Sequence, residues 1–174
     1  TTSLEAFDKV GAPTTWVLSN HDVVRHVSRF GLKTHDLRSG DGIGPDDAQP
    51  DHVLGLARAR AATLLMLALP GGVYLYQGEE LGLPDHTMIP HEFRQDPTFH
   101  RTDGVRVGRD GSRVPLPWVA DAPSYGFSST GKSWLPQPGL WGTHSRDIQQ
   151  RNPDSTLSLY RKALKLRREL NLGH

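Results

Sequence analysis

A polar cluster follows directly on an apolar segment near the start of the chain. Residues 14–18 are β-branched, aromatic or aliphatic, and they give way at once to Asn20, His21 and Asp22. A carboxylate at such a point can act as a base, as a nucleophile or as a stabiliser of positive charge. Because neighbouring side chains on a strand point to opposite faces, His21 and Asp22 can serve one site only if the chain turns there. The structural alternative is that Asp22 caps a turn and His21 is hydrogen bonded in the wall.

Four arginines are candidates for the same site. Arg25 and Arg29 lie four residues apart and share a face if this stretch is helical, so that one of them could hold Asp22 ionised. Arg109 and Arg113 are also four apart, on a segment that nearby prolines stiffen. A guanidinium held in this way could clamp a carboxylate or a sugar hydroxyl through two nitrogens. The alternatives are a solvated basic face for the first pair and an ordinary loop salt bridge for the second.

An adjacent acidic pair, Glu79 and Glu80, is the other feature that could suggest catalysis. Two carboxylates that cleave a glycosidic bond must flank it, about 5–5.5 Å apart in retaining enzymes and about 6.5–9.5 Å apart in inverting ones. Neighbours on one turn rarely achieve this arrangement. We therefore favour a structural role, in which the pair caps a short helix begun by the segment EELGL.

Composition excludes several classes of function. The net charge is +1 and the chain carries no block of basic residues, so we expect no nucleic-acid partner. There is no cysteine, so neither a disulfide scaffold nor a thiolate metal site is possible. No apolar run is long enough to span a membrane. No signal peptide is visible, and we expect a cytoplasmic location. We expect no cofactor and no metal site, because the loop histidines show no metal-binding spacing; these are His86, His91, His100 and His144.

The elements that must position these residues follow a strand, helix, strand, helix order. Two strands joined through a helix are almost always parallel, and reactive groups gather at the carboxyl ends of such strands. We therefore expect Asp22 and Gln77 to lie on one rim. The predicted elements are a helix over 3–10, a strand over 14–18, a loop over 31–51, a helix over 53–69, a strand over 73–76, an irregular segment over 84–150 and a helix over 154–170.

Two helices carry specific predictions about burial. The last turns of helix 53–69, with the sequence LLMLAL, are apolar all round and should be buried. In the final helix, either Asp154 or Ser155 is the expected N-cap. Its apolar residues lie at helical spacing and should face the core; they are Leu159, Ala163, Leu166 and Leu170. Arg167 and Arg168 lie near its C-terminal end, where the helix dipole favours cations.

Four segments occur in a characteristic order: SNHDVVRHVSRFG, GGVYLYQGEELGLP, FHRTDGVRVGRDGSRVPLPW and PDSTLSLYRKALKLRREL. Together they resemble the alpha-amylase superfamily of retaining glycosidases, glycoside hydrolase family 13. More narrowly they look like its alpha-glucosidase and oligo-1,6-glucosidase branch. The resemblance covers about residues 3–170. The NHD element alone would be a weak signal, whereas the four segments in sequence are highly specific.

The resemblance implies an α/β fold, a partial TIM (β/α)8 barrel. Segments 14–18 and 73–76 would be strands seven and eight, each followed by its helix, and 84–150 would be the long loop over the active site. A full barrel needs about 250 residues. We therefore expect residues 1–174 to be the C-terminal part of a (β/α)8 glycosidase catalytic domain, with the family's C-terminal β-domain absent.

The resemblance also implies roles for individual residues. Asp22 matches the family aspartate that stabilises the transition state, and His21 matches the histidine that binds the same sugar. Arg113 matches the arginine that closes the pocket around the non-reducing glucose, a task for which Arg109 is the less favoured choice. Arg25 is a further candidate for substrate binding. The family's nucleophile and general acid lie on other strands, outside this chain.

The activity implied is hydrolysis of terminal non-reducing alpha-linked glucose from oligosaccharides or disaccharides by a retaining two-step mechanism. The rest of the barrel would be required, so the chain alone should be inactive. Trehalose synthase, sucrose isomerase and transglucosylase activities remain alternatives, because they share the barrel and differ in the acceptor. A non-catalytic glucosidase-like protein is the alternative from another class. The presence of His21, Asp22 and Arg113 favours an enzyme.

Overall fold

Residues 2–33 and 41–173 are described by a computed structural model of the protein. Within these ranges, two short parallel strands form the only sheet. Strand β1, Thr15–Val17, pairs with strand β2, Gly72–Tyr74, with Trp16 opposite Val73. The predicted parallel pairing is confirmed, and both strands are shorter than predicted. The middle of the predicted loop 31–51 lies outside the described residues.

Six α-helices accompany the strands within the same ranges. A short helix, α2, follows the polar cluster, in a stretch where the sequence allows a helix but does not predict one. No helix in the described ranges is both long and apolar enough to cross a membrane. The helices are α1 Thr2–Asp8, α2 His26–Gly31, α3 His52–Ala68, α4 Pro97–Arg101, α5 Arg146–Arg151 and α6 Thr156–Glu169.

Helix α3 is buried along one face only, and not all round in its last turns as predicted. Its buried positions are Gly55, Ala59, Thr63, Met66 and Leu67. Within the apolar LLMLAL turns, the first two leucines are 45% and 65% exposed, so the prediction that these turns are buried all round is wrong for this structure. The reason is that α2 and α6 pack against α3 along its buried face, and the two leucines lie outside that face.

The segment 84–150, read from sequence as irregular, folds around an apolar core. It contains α4, most of α5 and several short 3-10 helices. Its side chains pack against residues that follow β2 and against the start of α6, and this joins the segment firmly to the end of the sheet. The core consists of Leu81, Leu83, Ile89, Val114, Leu116, Leu135, Trp141 and Leu157.

Helix α6 begins as predicted but packs differently. The Ser155 hydroxyl accepts a hydrogen bond from the Ser158 N–H at 3.1 Å, which makes Ser155 the N-cap. The expected core residues Leu166 and Leu170 are exposed. Arg167, expected to interact with the helix dipole, is instead buried and donates to backbone carbonyls at the end of α3 and the start of β2. These carbonyls need donors, and Arg167 is the side chain that reaches them.

Candidate active site

A tight turn after β1 brings His21 and Asp22 to one place. The Asn20 side-chain oxygen accepts a hydrogen bond from the Asp22 N–H at 2.7 Å, which closes an Asx turn. The turn places His21 Nε2 3.2 Å from Asp22 Oδ2. Both side chains are exposed to solvent, the Asp22 side chain to 49%. The chain therefore turns at His21 and Asp22, which is the condition for both side chains to serve one site.

Two arginines from the segment 84–150 reach the Asp22 carboxylate. Arg109 Nη1 lies 2.7 Å from Asp22 Oδ1, and Arg113 Nη2 lies 3.2 Å from the same oxygen. The Arg113 Nε–H also donates to the His21 carbonyl at 2.9 Å. Four of the five predicted site residues are thus brought together, namely His21, Asp22, Arg109 and Arg113. Their contacts with a sugar stay a prediction.

Arg25, the fifth predicted site residue, does not contact Asp22. Its side chain is 1% exposed, and its guanidinium donates to the carbonyls of Gln77 at 2.6 Å and Ser112 at 2.8 Å. Its backbone N–H donates to Asp85 Oδ1 at 2.8 Å. Arg25 therefore joins the end of β1 to the residues after β2 and to the arginine-bearing segment, and this places Gln77 and the polar cluster at the same end of the sheet.

The expectation that Arg25 or Arg29 holds Asp22 ionised needs correction. The Arg29 guanidinium donates to the carbonyls of Leu18 at 2.6 Å and Val24 at 2.9 Å, so it is also committed to the backbone. The chain turns after β1, and the carbonyls freed at the end of the strand need donors. Arg29 supplies those donors and Arg25 does the same for Gln77 after β2, whereas Arg109 and Arg113 make the ion pairs with Asp22.

Sequence reasoning missed Asp96, which lies behind the two arginines. Its side chain is 0% exposed, and Oδ2 accepts from Arg109 Nε at 2.8 Å and from Arg113 Nη1 at 3.3 Å. Burial alone would raise the pKa of Asp96, but hydrogen bonds from Arg109 and Thr98 lower it well below its usual range. The signal in the sequence was Asp before Pro97, which is typical of a helix cap. Asp96 is indeed the N-cap of α4 as well.

The acidic pair after β2 occupies a short 3-10 helix, Glu79–Leu81. The Glu80 carboxylate accepts from the Gly78 N–H at 2.9 Å, in line with the predicted structural role. Glu79 is buried, with Oε1 3.7 Å from His26 Nδ1. Burial raises the pKa of Glu79 to about 7 and lowers the pKa of His26 to about 4.

The chemistry available at the rim is that of a half-exposed carboxylate among hydrogen-bond donors. Asp22 can accept from a hydroxyl group or face a developing positive charge, while His21 and the arginines can bind further hydroxyls. No three histidine or carboxylate side chains within the described ranges lie close enough together to hold a metal ion. The arrangement is suited to binding a polyhydroxylated ligand at a strand end.

Comparison with known proteins gives this arrangement its context. Residues 2–172 match the family described as alpha amylase, catalytic domain. A probable alpha-glucosidase of Rhizobium meliloti is 36% identical over 88% of this chain, and a maltase of Drosophila melanogaster is 32% identical over 91%. An oligo-1,6-glucosidase of Saccharomyces cerevisiae is 28% identical over 89%. The chain spans about a quarter of the length of these relatives, 24% to 27%.

Solved structures show the same relationship. A crystal structure of an alpha-glucosyl transfer enzyme is 34% identical, with a TM-score of 0.71, over 95% of this chain and 28% of that one. The fold is shared with a trehalose-6-phosphate hydrolase of Bacillus licheniformis at 24% identity and a TM-score of 0.67, over 96% of this chain and 30% of that one. By the family match over nearly its whole length, this chain belongs to the alpha-amylase family and forms part of that family's catalytic domain.

Proposed function

We propose that this chain contributes to the hydrolysis of terminal non-reducing alpha-linked glucose from oligosaccharides or disaccharides by a retaining mechanism. The observation that carries the proposal is the meeting of His21, Asp22, Arg109 and Arg113 at the end of β1. Relatives between 28% and 36% identical bear the names alpha-glucosidase, maltase and oligo-1,6-glucosidase.

Each residue of the site has a distinct part in this proposal. Asp22 accepts hydrogen bonds from hydroxyls of the sugar at the cleavage point and stabilises the positive charge that develops on its ring in the transition state. His21 donates to a hydroxyl of the same sugar. Arg113 closes the pocket around the non-reducing glucose, and Arg109 orients Asp22. Arg25 supports sugar binding by fixing the turn that presents His21 and Asp22.

The two-step reaction needs further acidic groups. A retaining glycosidase uses a carboxylate nucleophile and a carboxylic acid that later acts as a base. We propose that both come from other strands of a (β/α)8 barrel, in a longer polypeptide that contains this chain, here called the full-length protein. Strands β1 and β2 would be its seventh and eighth strands, and 84–150 the loop over its active site. The share of the relatives that this chain spans supports this view.

Glucosyl transfer is the second candidate. The observation that favours it is the 34% identity to an enzyme named for alpha-glucosyl transfer. Hydrolysis and transfer share the first step, and they differ in whether water or another sugar attacks the glucosyl intermediate. Trehalose synthase and sucrose isomerase activities follow the same logic. In a non-catalytic relative, by contrast, the site would bind sugar without turnover.

The test is to incubate the full-length protein with p-nitrophenyl alpha-glucoside, with and without maltose as acceptor. We expect release of p-nitrophenol and of free glucose. Glucosylated maltose in place of glucose would identify a transferase. Binding of maltose without any turnover would overturn the enzymatic proposal.

A further inference from the structure

We propose that Asp96 is the positioning residue that aims Arg109 and Arg113 at Asp22. This inference rests on the proposed function for its effect on turnover, while its geometric part concerns the chain alone. Asp96 does not reach the exposed rim, since its side chain is 0% exposed. It acts only through the two arginines.

The geometry is that of two guanidiniums held between two carboxylates. Arg109 gives its Nε–H to Asp96 at 2.8 Å and its Nη1 to Asp22 at 2.7 Å. Arg113 gives Nη1 to Asp96 at 3.3 Å and Nη2 to Asp22 at 3.2 Å. Each planar guanidinium thus has its inner edge on Asp96 and its outer edge on Asp22. Fixing the inner edge of such a rigid fork fixes the direction of the outer one.

Asp96 is itself held firmly in place. Its N–H and that of Gln95 both donate to Asp110 Oδ2, at 3.0 and 2.8 Å. Its Oδ1 accepts from the Thr98 N–H at 2.8 Å, and its Oδ2 also accepts from the Arg109 N–H at 3.0 Å. Gly108 adopts a φ of +70°, and a Cβ there would lie 2.6 Å from the Asp96 Cβ. The backbone is therefore packed directly against this carboxylate.

The formal charges of the four side chains in this arrangement balance. Two arginines and two aspartates sum to zero, so neither carboxylate has to neutralise both cations. With Asp96 uncharged, Asp22 would face two guanidiniums that have lost their inner carboxylate partner. They would then be free to re-orient onto Asp22 and compete with sugar hydroxyls for its oxygens. Preorganised positions of this kind are what a site needs in order to stabilise a transition state.

The variant that isolates this role is Asp96→Asn in the full-length protein. Asparagine is nearly isosteric, and its oxygen can still cap α4, but its NH2 group faces the Arg109 Nε–H, donor against donor. The first readout is exchange of the Arg109 Nε–H proton with water by NMR. We expect slow exchange in the wild-type protein and exchange at least about tenfold faster in the variant.

The second readout is kinetic. With p-nitrophenyl alpha-glucoside we expect kcat to fall about 10- to 100-fold, as for other groups that orient a functional side chain, with a smaller change in KM. In an Arg109→Ala background, Asp96→Asn should cost less than it does alone, because residues acting through one another are not additive. The matched control is Asp121→Asn, an exposed aspartate of the same segment, which should leave both readouts unchanged.

The two proposals can fail separately. If the wild-type protein shows no turnover but Asp96→Asn speeds exchange at Arg109, the proposed function is wrong and the positioning role stands. If a folded Asp96→Asn protein keeps slow exchange at Arg109, or if its loss of kcat is fully additive with Arg109→Ala, the positioning role is wrong. Should Asp96→Asn not fold, Asp96→Glu keeps the charge but moves the carboxylate outward by one methylene. We expect kcat to fall in that variant too, and an unchanged kcat would show that the position of this carboxylate does not aim the arginines.

Discussion

At the scale of single residues, two aspartates share one pair of arginines but lie in different surroundings. The Asp22 side chain is half-exposed at the end of β1, whereas Asp96 is fully buried beneath the arginines. The exposed carboxylate remains accessible to a ligand, while the buried one is saturated with hydrogen bonds from the protein. The same residue type therefore occurs in two surroundings, one that leaves the carboxylate open to a ligand and one that fills it with donors from the protein.

Substitution of Asp22 by asparagine tests the proposed catalytic role. The variant keeps the shape of the side chain but removes the negative charge that opposes a developing positive charge. We expect kcat of the full-length protein to fall at least about 1000-fold, the upper range for loss of one transition-state-stabilising group. The measurement is p-nitrophenol release, with the exposed Asp46→Asn as control. Near-normal kcat in Asp22→Asn would contradict the role.

The buried Glu79 predicts a pH dependence of stability. Burial raises its pKa from 4.5 to about 7 in the folded protein. As the pH rises between these values, the unfolded state loses its proton first, so stability falls with rising pH. Buried Asp85, with its pKa raised to about 6, acts in the same direction, and His26, with its pKa lowered to about 4, acts in the opposite one.

The variant Glu79→Gln removes the Glu79 contribution alone. We expect it to change the melting temperature little at pH 5 and to raise it at pH 8, by an amount equivalent to about 1–3 kcal/mol. Differential scanning fluorimetry at both pH values measures this. The exposed Glu92→Gln is the control. An equal effect of Glu79→Gln at both pH values would show that ionisation of Glu79 does not limit stability.

At the scale of elements, close backbone approach between α2 and α3 holds the turn that carries the site. A Cβ at Gly55 of α3 would lie 2.2 Å from the Val27 carbonyl oxygen of α2. Helix α2 follows directly on the His21 and Asp22 turn and on Arg25. The small residue on α3 therefore sets how closely α2 packs and, through it, where the turn lies.

Substitution of Gly55 by alanine tests this packing. Alanine in a helix interior normally stabilises relative to glycine by about 0.5–1 kcal/mol. Here the methyl group meets a backbone carbonyl, so we expect a net loss of about 1–3 kcal/mol, seen as a lower melting temperature. Gly139→Ala is the matched control, since a Cβ there meets nothing within 4 Å. A gain in melting temperature with Gly55→Ala would show that α2 can move at little cost.

At the scale of the whole molecule, the described residues leave apolar surface uncovered around the sheet and α3. Tyr74 and Val17, on the two strands, are 67% and 50% exposed, and Leu65 on α3 is also exposed. Each strand pairs with one other strand among the described residues, so each has a free edge. Such edges and patches favour association with further polypeptide.

These surfaces should make the isolated chain of 174 residues prone to self-association. It should also be inactive, because the proposed nucleophile and general acid lie outside it. We expect no release of p-nitrophenol from p-nitrophenyl alpha-glucoside at high protein concentration, with the full-length protein as the positive control. Size-exclusion chromatography should show species larger than a monomer. A monomer with a sharp two-state thermal transition, or clear turnover, would contradict this prediction.

The sequence by itself determined the order of elements, the parallel strands and most of the residues that meet in the candidate site. Residue propensity, helical spacing and turn signals are local, so they placed β1, α3, β2 and α6 within a few residues, and the polar cluster after the first strand singled out His21 and Asp22 as candidates. Characteristic spacing singled out Arg109 and Arg113. These features depend on neighbours along the chain, which a sequence displays directly.

Only the tertiary structure decided which partners those residues have. Arg25 and Arg29 carry the same charge as Arg109 and Arg113, yet the first two bind backbone carbonyls and the second two bind Asp22. Asp96 looks like a simple helix cap in sequence, while Arg167 and the apolar turns of α3 gave no sign of which face would be buried. Burial and pairing depend on residues brought close by folding from distant parts of the chain, and no local pattern encodes them.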